Sequence, residues 1–354
     1  MVNTISPDKA LHHKVYGWPG GDTPGKISYH HEVPPSLVLA VKKALKAVYS
    51  PFKDISEFHL LALHEFSTAS GSYLLRTEIG SWFLRISTRI GNWQLEQAIT
   101  EHLLSNEVSV NKIIASAKLN WKGKDYRTDL RPIILGRHFK EDQSDLFELA
   151  STLGSCHRTL KKFSRDQEIL QNQNLIAKEH IKVQDLISDA LTRNDFSVFH
   201  EREEWAKQNT KWLSEMNKLY NPNFHLDPKA QPVHGEIHPA NVIFDLEDGS
   251  ATLVDFETSI HTFAPPSWDL AYFVLRFVLK RNLSSSKILE CKSLIETAYG
   301  EQLPPLSFMM RQTCWYCIMC GVNNRLLKEW ITPVSEYNKF IQLEHQAKLA
   351  KDVL

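Results

Sequence analysis

Residues 234–245, HGEIHPANVIFD, followed by LVDFE at 253–257, carry the densest group of reactive side chains in the chain. His234, Glu236, His238, Asn241, Asp255 and Glu257 fall in two stretches separated by Leu246-Glu247-Asp248-Gly249, whose Asp-Gly pair is a turn signal. Read as strands, the stretches put His234, Glu236 and His238 on one face, and the hairpin returns Asp255 to the end of the sheet that holds Asn241. A carboxamide oxygen and a carboxylate are hard ligands suited to magnesium, in sites that leave positions for water and substrate phosphates. Glu236 is then available as a base. A second reading takes His234 and His238 with Glu236 as a zinc or iron site, since imidazole and carboxylate suit those metals. The spacing His-Glu-x-x-His is absent, however, and Pro239 interrupts the segment.

Outward from this group the periodicity changes twice. Phe58 to Ser87 reads as three strands, HLLALHEF, YLLRTEIG and SWFLRIS, with turns at Ser67 to Ser72 and Glu78 to Ser81. From Trp93 the spacing of Leu95, Ile99, Leu103 and Leu104 is helical, and IIASAKLN and RPIILGRHF read as two further strands. Pro35 to Tyr49 predicts a short helix, and Asp145 to Phe163 a longer one with Leu146, Leu149, Leu153, His157 and Leu160 on a common side. Residues 164–230 are polar with helical patches, notably Glu201 to Tyr220, and read as a less deeply buried insertion. After Pro265-Pro266 the remainder reads as helices.

This order predicts an α+β fold of two unequal lobes. An N-terminal arm and short helix occupy 1–50, a small antiparallel sheet with one main helix 51–140, and a larger, mostly helical lobe 141–354, with 164–230 as its helical insertion. A cleft between such lobes is the default ligand site.

Composition narrows the partners. Forty-one Lys plus Arg balance forty-one Asp plus Glu, so no bulk field draws nucleic acid or an anionic membrane, and recognition of a charged ligand has to be local. No apolar run reaches about eighteen residues, and the first residues lack the apolar centre of a secretory signal, which predicts a cytoplasmic protein. Five cysteines make no disulfide framework; Cys314, Cys317 and Cys320 read as core packing on a helix. GGDTPGKI at 20–27 nearly fits a phosphate loop but places Ile27 where the hydroxyl ligand belongs, and His12, His13, His30 and His31 read as a solvated arm.

HGEIHPANVIFD, LVDFE and PPSWDLA together resemble the aminoglycoside phosphotransferase and choline kinase superfamily, where they are written His-Gly-Asp-x-His-x-x-Asn and Asp-Phe-Glu or Asp-Phe-Asp. The resemblance implies a bilobal protein-kinase-like fold and an ATP- or GTP-dependent O-phosphotransferase using Mg2+. Such an enzyme moves the γ-phosphoryl group to a hydroxyl of a small molecule, here expected to be amino-bearing. It places Glu236 where the catalytic aspartate stands, Asn241 and Asp255 as magnesium ligands, Glu257 beside the second metal position, and Asp269 where a buried aspartate steadies the catalytic loop, with His234 and His238 supporting. In the small lobe, Ser70, Gly71 and Ser72 lie in the nucleotide-covering loop, Arg85 stands at the phosphate-binding cation and Glu96 at its helix partner. The hinge falls near Arg131 to Arg137, and His157 in LGSCHRTL reads as a satisfied core histidine. Glu201, Glu203 and Glu204 would suit a cationic acceptor. The implied partners are one small hydroxylated substrate, neither nucleic acid nor membrane, in a monomer or homodimer.

The clearest departure is Glu236 in place of aspartate. A carboxylate misplaced by about 1 Å can lose of order a hundredfold in rate, so a catalytically weak nucleotide-binding or scaffold protein of the same fold is the alternative reading.

Overall fold

The computed structural model describes residues 33–62, 71–88, 92–326, 333–352 and 354. The fold is bilobal α+β, with a small antiparallel sheet lobe and a larger helical lobe. By packing, the chain divides into two compact units: the first runs up to Thr152 and takes in Pro239–Glu257, and the second comprises Leu153–His238 and Thr258–Leu354. Ser70, the arm and its histidines, and the Gly20 to Ile27 segment lie outside the described residues.

In the first unit, helix α1 (Pro35–Val48) is followed by strands β1 (Phe58–Ala62), β2 (Gly71–Thr77) and β3 (Gly80–Ser87), helix α2 (Trp93–Ser105), and strands β4 (Ala115–Trp121) and β5 (Lys124–Pro132). The strands form one antiparallel sheet in the order β1-β2-β3-β5-β4. Alternation along each strand sorts the side chains by face. Tyr73, Leu75, Leu84, Ile86, Leu119, Tyr126 and Leu130 form the apolar face, and Leu37, Val41 and Leu45, at helical spacing on α1, pack against it. Each fully buried leucine there contributes about 1.5–3 kcal/mol. On the other face the register lines up one polar row across four strands: Ser72 opposite Arg85, Arg85 opposite Asp129, and Asp129 opposite Ser116. α2 is N-capped by Asn92, whose side-chain oxygen accepts from Leu95 N–H at 3.1 Å.

The strand expected at RPIILGRHF is displaced. The long strand is β5, upstream, reached from β4 by a tight turn in which Lys122 and Gly123 adopt positive φ (51° and 73°). Only Gly136–Arg137 of the expected segment is extended, as β6, which pairs with β8 (Val242–Asp245); β8 in turn pairs with β9 (Ala251–Leu253) through the Asp-Gly turn read from the sequence.

The second unit is mostly helical. Helix α3 (Gln143–Leu160) leads into it, and residues 164–230 turn out to be well anchored. Helix α4 (Asp166–Arg193) buries Ile169, Gln173, Ala177, His180, Val183, Ile187 and Ala190, a continuous stripe at steps of three and four. Its remaining faces carry the charged residues that made the segment read as solvated. Helices α5 (Glu203–Gln208) and α6 (Thr210–Leu219), the short strands β7 (Gln231–Pro232) and β10 (Phe263–Ala264), and helices α7 (Ser267–Phe273), α8 (Ser285–Tyr299), α9 (Ser307–Leu326) and α10 (Val334–Leu349) complete it. Trp268 of α7 stacks on Phe224 (centroids 4.3 Å apart) and meets Tyr316 of α9 edge-on (5.3 Å).

Candidate active site

The strand expected over residues 233–238 is a loop; only Gln231–Pro232 is extended. Its shape is set by backbone satisfaction rather than by a ladder. Asp269, on the first turn of α7 and fully buried, accepts the N–H groups of His234 and Gly235, each at 2.8 Å and each on a different carboxylate oxygen. The His234 carbonyl accepts from the Ser259 hydroxyl at 2.9 Å, and the Gly235 carbonyl from Trp268 Nε1 at 3.2 Å. All four backbone polar groups of these two residues are thereby paired. Gly235 has φ +91°, and a Cβ there would lie 2.6 Å from Thr262 Oγ1, so the position requires glycine.

Asp269 has a third partner. Its Oδ2 lies 3.0 Å from His157 Nε2, while His157 Nδ1 is 2.8 Å from the Tyr299 hydroxyl. With Nε2 donating to Asp269 and Nδ1 accepting from the Tyr299 hydroxyl, both contacts are satisfied. His157 is thus the satisfied core histidine the sequence suggested, and it also fixes the aspartate that holds the loop.

The loop delivers Glu236. Its Oε2 accepts from the Thr258 hydroxyl at 3.3 Å, and its Oε1 is 3.6 Å from His238 Nε2. Burial among neighbouring side chains pushes the carboxyl pKa up, but the hydrogen bond and charge of His238, then the charges of Arg276 and His234, outweigh it and hold the group down at about 2. The side chain is still 46% exposed, so Glu236 is an ionised carboxylate that water can reach.

Asn241, Asp255 and Glu257 belong to the first unit. Val254 N–H donates to the Asn241 carbonyl at 3.0 Å, which brings the two motif halves side by side at the end of the β8–β9 hairpin, as the sequence predicts. His138 Nδ1, 3.0 Å from the Pro239 carbonyl, steadies the approach to Asn241. Asn241 is buried, Asp255 and Glu257 are half-buried, and Asp255 adopts left-handed φ +65°, a conformation Asp tolerates better than most side chains. A carboxamide and a carboxylate at adjacent backbone positions are a hard-oxygen donor pair that fits magnesium, with the remaining positions left to water and phosphate. Among the described residues no group of three or more His, Cys, Asp and Glu is disposed to hold a metal ion, so the His234, Glu236 and His238 reading gains no geometric support.

Arg85 sits in the polar row of the sheet between Ser72 and Asp129, half-buried. Gly71 and Ser72 open β2; Ser72 is fully buried and its Oγ has no hydrogen-bond partner among the described residues. Glu96, fully buried on α2, binds two arginines that the sequence reading did not connect with it: Arg127 Nη2 at 2.7 Å and Arg131 Nη2 at 2.5 Å. Burial raises the Glu96 pKa, but the charges of Arg131 and Arg127 and their hydrogen bonds outweigh it and leave the carboxyl below its ordinary value. Asp129 completes the cluster, accepting from Arg127 Nε at 2.7 Å and from the Ser116 hydroxyl at 2.6 Å. The alternation Arg127, Asp129, Arg131 was the available signal. Glu203, one of the acids considered for a cationic acceptor, pairs with Lys207 at 2.8 Å on an exposed helix turn.

The model of the phosphotransferase enzyme family matches residues 65–285, more than half of the chain. The chain belongs to that family. A spectinomycin phosphotransferase solved with ADP and spectinomycin shares the fold at TM-score 0.62 and 16% identity, over 90% of this chain and 100% of that one. An ethanolamine kinase from Plasmodium vivax aligns at TM-score 0.57 and 12% identity, over 91% and 90% of the two chains. The choline kinase LicA from Streptococcus pneumoniae aligns at TM-score 0.51 and 14% identity, over 86% and 97%. At these identities the similarity speaks for the fold alone. No curated protein matches the sequence. No helix among the described residues is long and apolar enough to cross a membrane.

Proposed function

We propose that the protein is a magnesium- and nucleotide-dependent O-phosphotransferase acting on a hydroxyl of a small molecule, with Glu236 as the residue that orients and deprotonates the acceptor. The observation that carries this reading is the anchored loop. Asp269 fixes the backbone at His234 and Gly235, and the next side chain is an ionised carboxylate reachable from water. A carboxylate held at that place can orient an acceptor hydroxyl and receive its proton as the phosphoryl group transfers.

In the proposed reaction the acceptor oxygen forms a bond to the γ-phosphorus, the bond from that phosphorus to the β,γ-bridging oxygen breaks, and the hydroxyl proton passes to the Glu236 carboxylate. Catalysis of this kind is mostly positioning and charge neutralisation. Arg85 supplies fixed donors to phosphate oxygens, and Gly71 and Ser72 border the phosphates, the buried Ser72 Oγ being one unused polar group there. Glu96 holds the sheet arginines. Asn241 and Asp255 would hold the metal, with Glu257 beside them, and the metal when bound neutralises phosphate charge. The longer Glu236 is accommodated because Thr258 and His238 hold its two oxygens separately.

ATP or GTP serves as donor. The acceptor class proposed is a small hydroxylated, amino-bearing compound, in keeping with the spectinomycin, choline and ethanolamine for which the structural relatives are named. The protein is proposed to act in the cytoplasm as a monomer or homodimer. A panel of amino sugars, amino alcohols and nucleosides, assayed for nucleoside diphosphate release with wild type and E236A, tests the assignment. Acceptor-stimulated release that E236A loses supports it; no stimulated release with any acceptor refutes it in favour of a nucleotide-binding relative without catalysis.

A further inference from the structure

The buried arginine Arg131 does two things at once. Its Nη2 is held 2.5 Å from Glu96 Oε1, and its Nη1 donates to the Asn111 carbonyl at 3.3 Å. Asn111 belongs to a short segment, Ser109 to Asn111, that runs parallel to β9 and is zipped onto a single residue of it. Asn111 N–H donates to the Leu253 carbonyl (3.1 Å), Leu253 N–H donates to the Ser109 carbonyl (3.0 Å), and Val110 bridges Leu253 between them. Val254, the next residue, donates to the Asn241 carbonyl, and Asp255 follows. A path of hydrogen bonds and backbone links therefore leads from α2, through Arg131 and this strap, to Asn241 and Asp255, the two residues assigned to the metal, and the charge of Asp255 also acts on Arg131 directly. The strap depends on its backbone: Asn111 Oδ1 is buried and has no hydrogen-bond partner among the described residues.

Resting on the phosphotransferase reading above, we propose that Arg131 is a positioning residue for the metal pair Asn241 and Asp255, acting through the Ser109 to Asn111 strap. Arg127 and Arg131 share both Glu96 and Asp129 (Asp129 Oδ2 at 2.5 and 3.8 Å), and it is Arg131 whose Nη1 reaches the strap, which makes Arg127 the natural comparison. The guanidinium fork is what allows two partners in different directions. A lysine there keeps the charge facing Glu96 and gives up the Asn111 carbonyl. Groups that orient metal ligands from behind typically change metal affinity about tenfold to a hundredfold when altered.

The test compares R131K with R127K in the full chain, using Mn2+ binding to the ADP complex, followed by electron paramagnetic resonance, and amide hydrogen exchange over residues 109–111 and 251–257. R131K is expected to speed exchange in both segments and to weaken Mn2+ about tenfold while metal-free ADP affinity stays within twofold. R127K is expected to shift Mn2+ affinity less than twofold. Equal effects of the two variants, or faster exchange in R131K with unchanged Mn2+ affinity, overturn the proposal. D255N separates the two levels: if it too leaves Mn2+ binding unchanged, the metal assignment itself fails. Should R131K not fold, E96Q carries the same test, since it keeps the shape and removes the charge that anchors Arg131. Faster strap exchange with about threefold weaker Mn2+ is then expected, and no change in either overturns the proposal.

Discussion

Replacing Asp269 with asparagine changes no volume and removes one charge from the centre of the loop anchor. In the native structure its two oxygens serve the N–H groups of His234 and Gly235 and the His157 ring nitrogen, at 2.8, 2.8 and 3.0 Å. Asparagine has one oxygen and one NH2 group, and the NH2 has to face at least one of these donors. One charge-assisted bond, worth about 1.5–3 kcal/mol, is lost outright, and the other two fall to the ordinary value of about 1 kcal/mol. The sum is a destabilisation of about 2.5–7 kcal/mol, a large share of the roughly 5–15 kcal/mol that holds a domain folded. For a unit of this size it lowers the melting temperature by about 10 °C. Urea unfolding, with the midpoint shifted at constant m-value, measures it, and nucleotide turnover at 20 °C below the new midpoint reports whether Glu236 has moved. A loss below about 1 kcal/mol would refute the reasoning, because it would mean the three donors do not depend on the carboxylate charge.

Other outcomes follow from the same structure. E96A leaves two buried guanidinium groups with one anion between them, and is expected to cost about 3–5 kcal/mol in urea unfolding, whereas E96Q costs less. Gly235→Ala forces a Cβ to within 2.6 Å of Thr262 Oγ1 at φ +91°, and is expected to lose the soluble folded form or at least all turnover, read by circular dichroism and nucleotide hydrolysis. The Glu236 pKa is depressed to about 2, so the stability it contributes is present above the unfolded value of 4.5 and lost as pH falls through about 2; the pH profile of turnover should show no limb near 4.5. His180 is buried against the Tyr220 hydroxyl, and burial, then the charge of His261, lowers its pKa to about 3 from 6.5. The unfolded chain therefore binds a proton that the folded one refuses, and stability falls by about 1.4 kcal/mol per pH unit between those values as pH drops, a slope that His180→Gln should remove.

What the sequence made legible follows from how local each signal was. The Asn241 and Asp255 pairing could be read because an Asp-Gly turn fixes a hairpin register within a dozen residues. The helices after Pro265-Pro266, Ser285–Tyr299 among them, could be read because the apolar spacing of each lies within its own segment. The His234 to His238 segment looked like a strand from its alternation, yet its conformation is set by Asp269, thirty-odd residues away, and by a glycine at positive φ. β5 was hidden for a different reason. Arg127, Asp129 and Arg131 look like a solvated run, but on a strand they share one face, and Glu96 on α2 and Ser116 on β4 neutralise and bind them there. α4 was hidden likewise, its apolar stripe diluted by the charges of its outer face. Buried charge satisfied by distant partners is the pattern that local reading passes over.

The proposed function requires γ-phosphoryl transfer that needs both the metal and Glu236. Incubation with γ-labelled nucleotide, Mg2+ and a panel of amino-bearing alcohols is predicted to yield a labelled acceptor with wild type, none with EDTA, and at least a hundredfold less with E236A at unchanged nucleotide affinity. Label transferred as well by E236A as by wild type, or nucleotide bound tightly with no label reaching any acceptor, would contradict it.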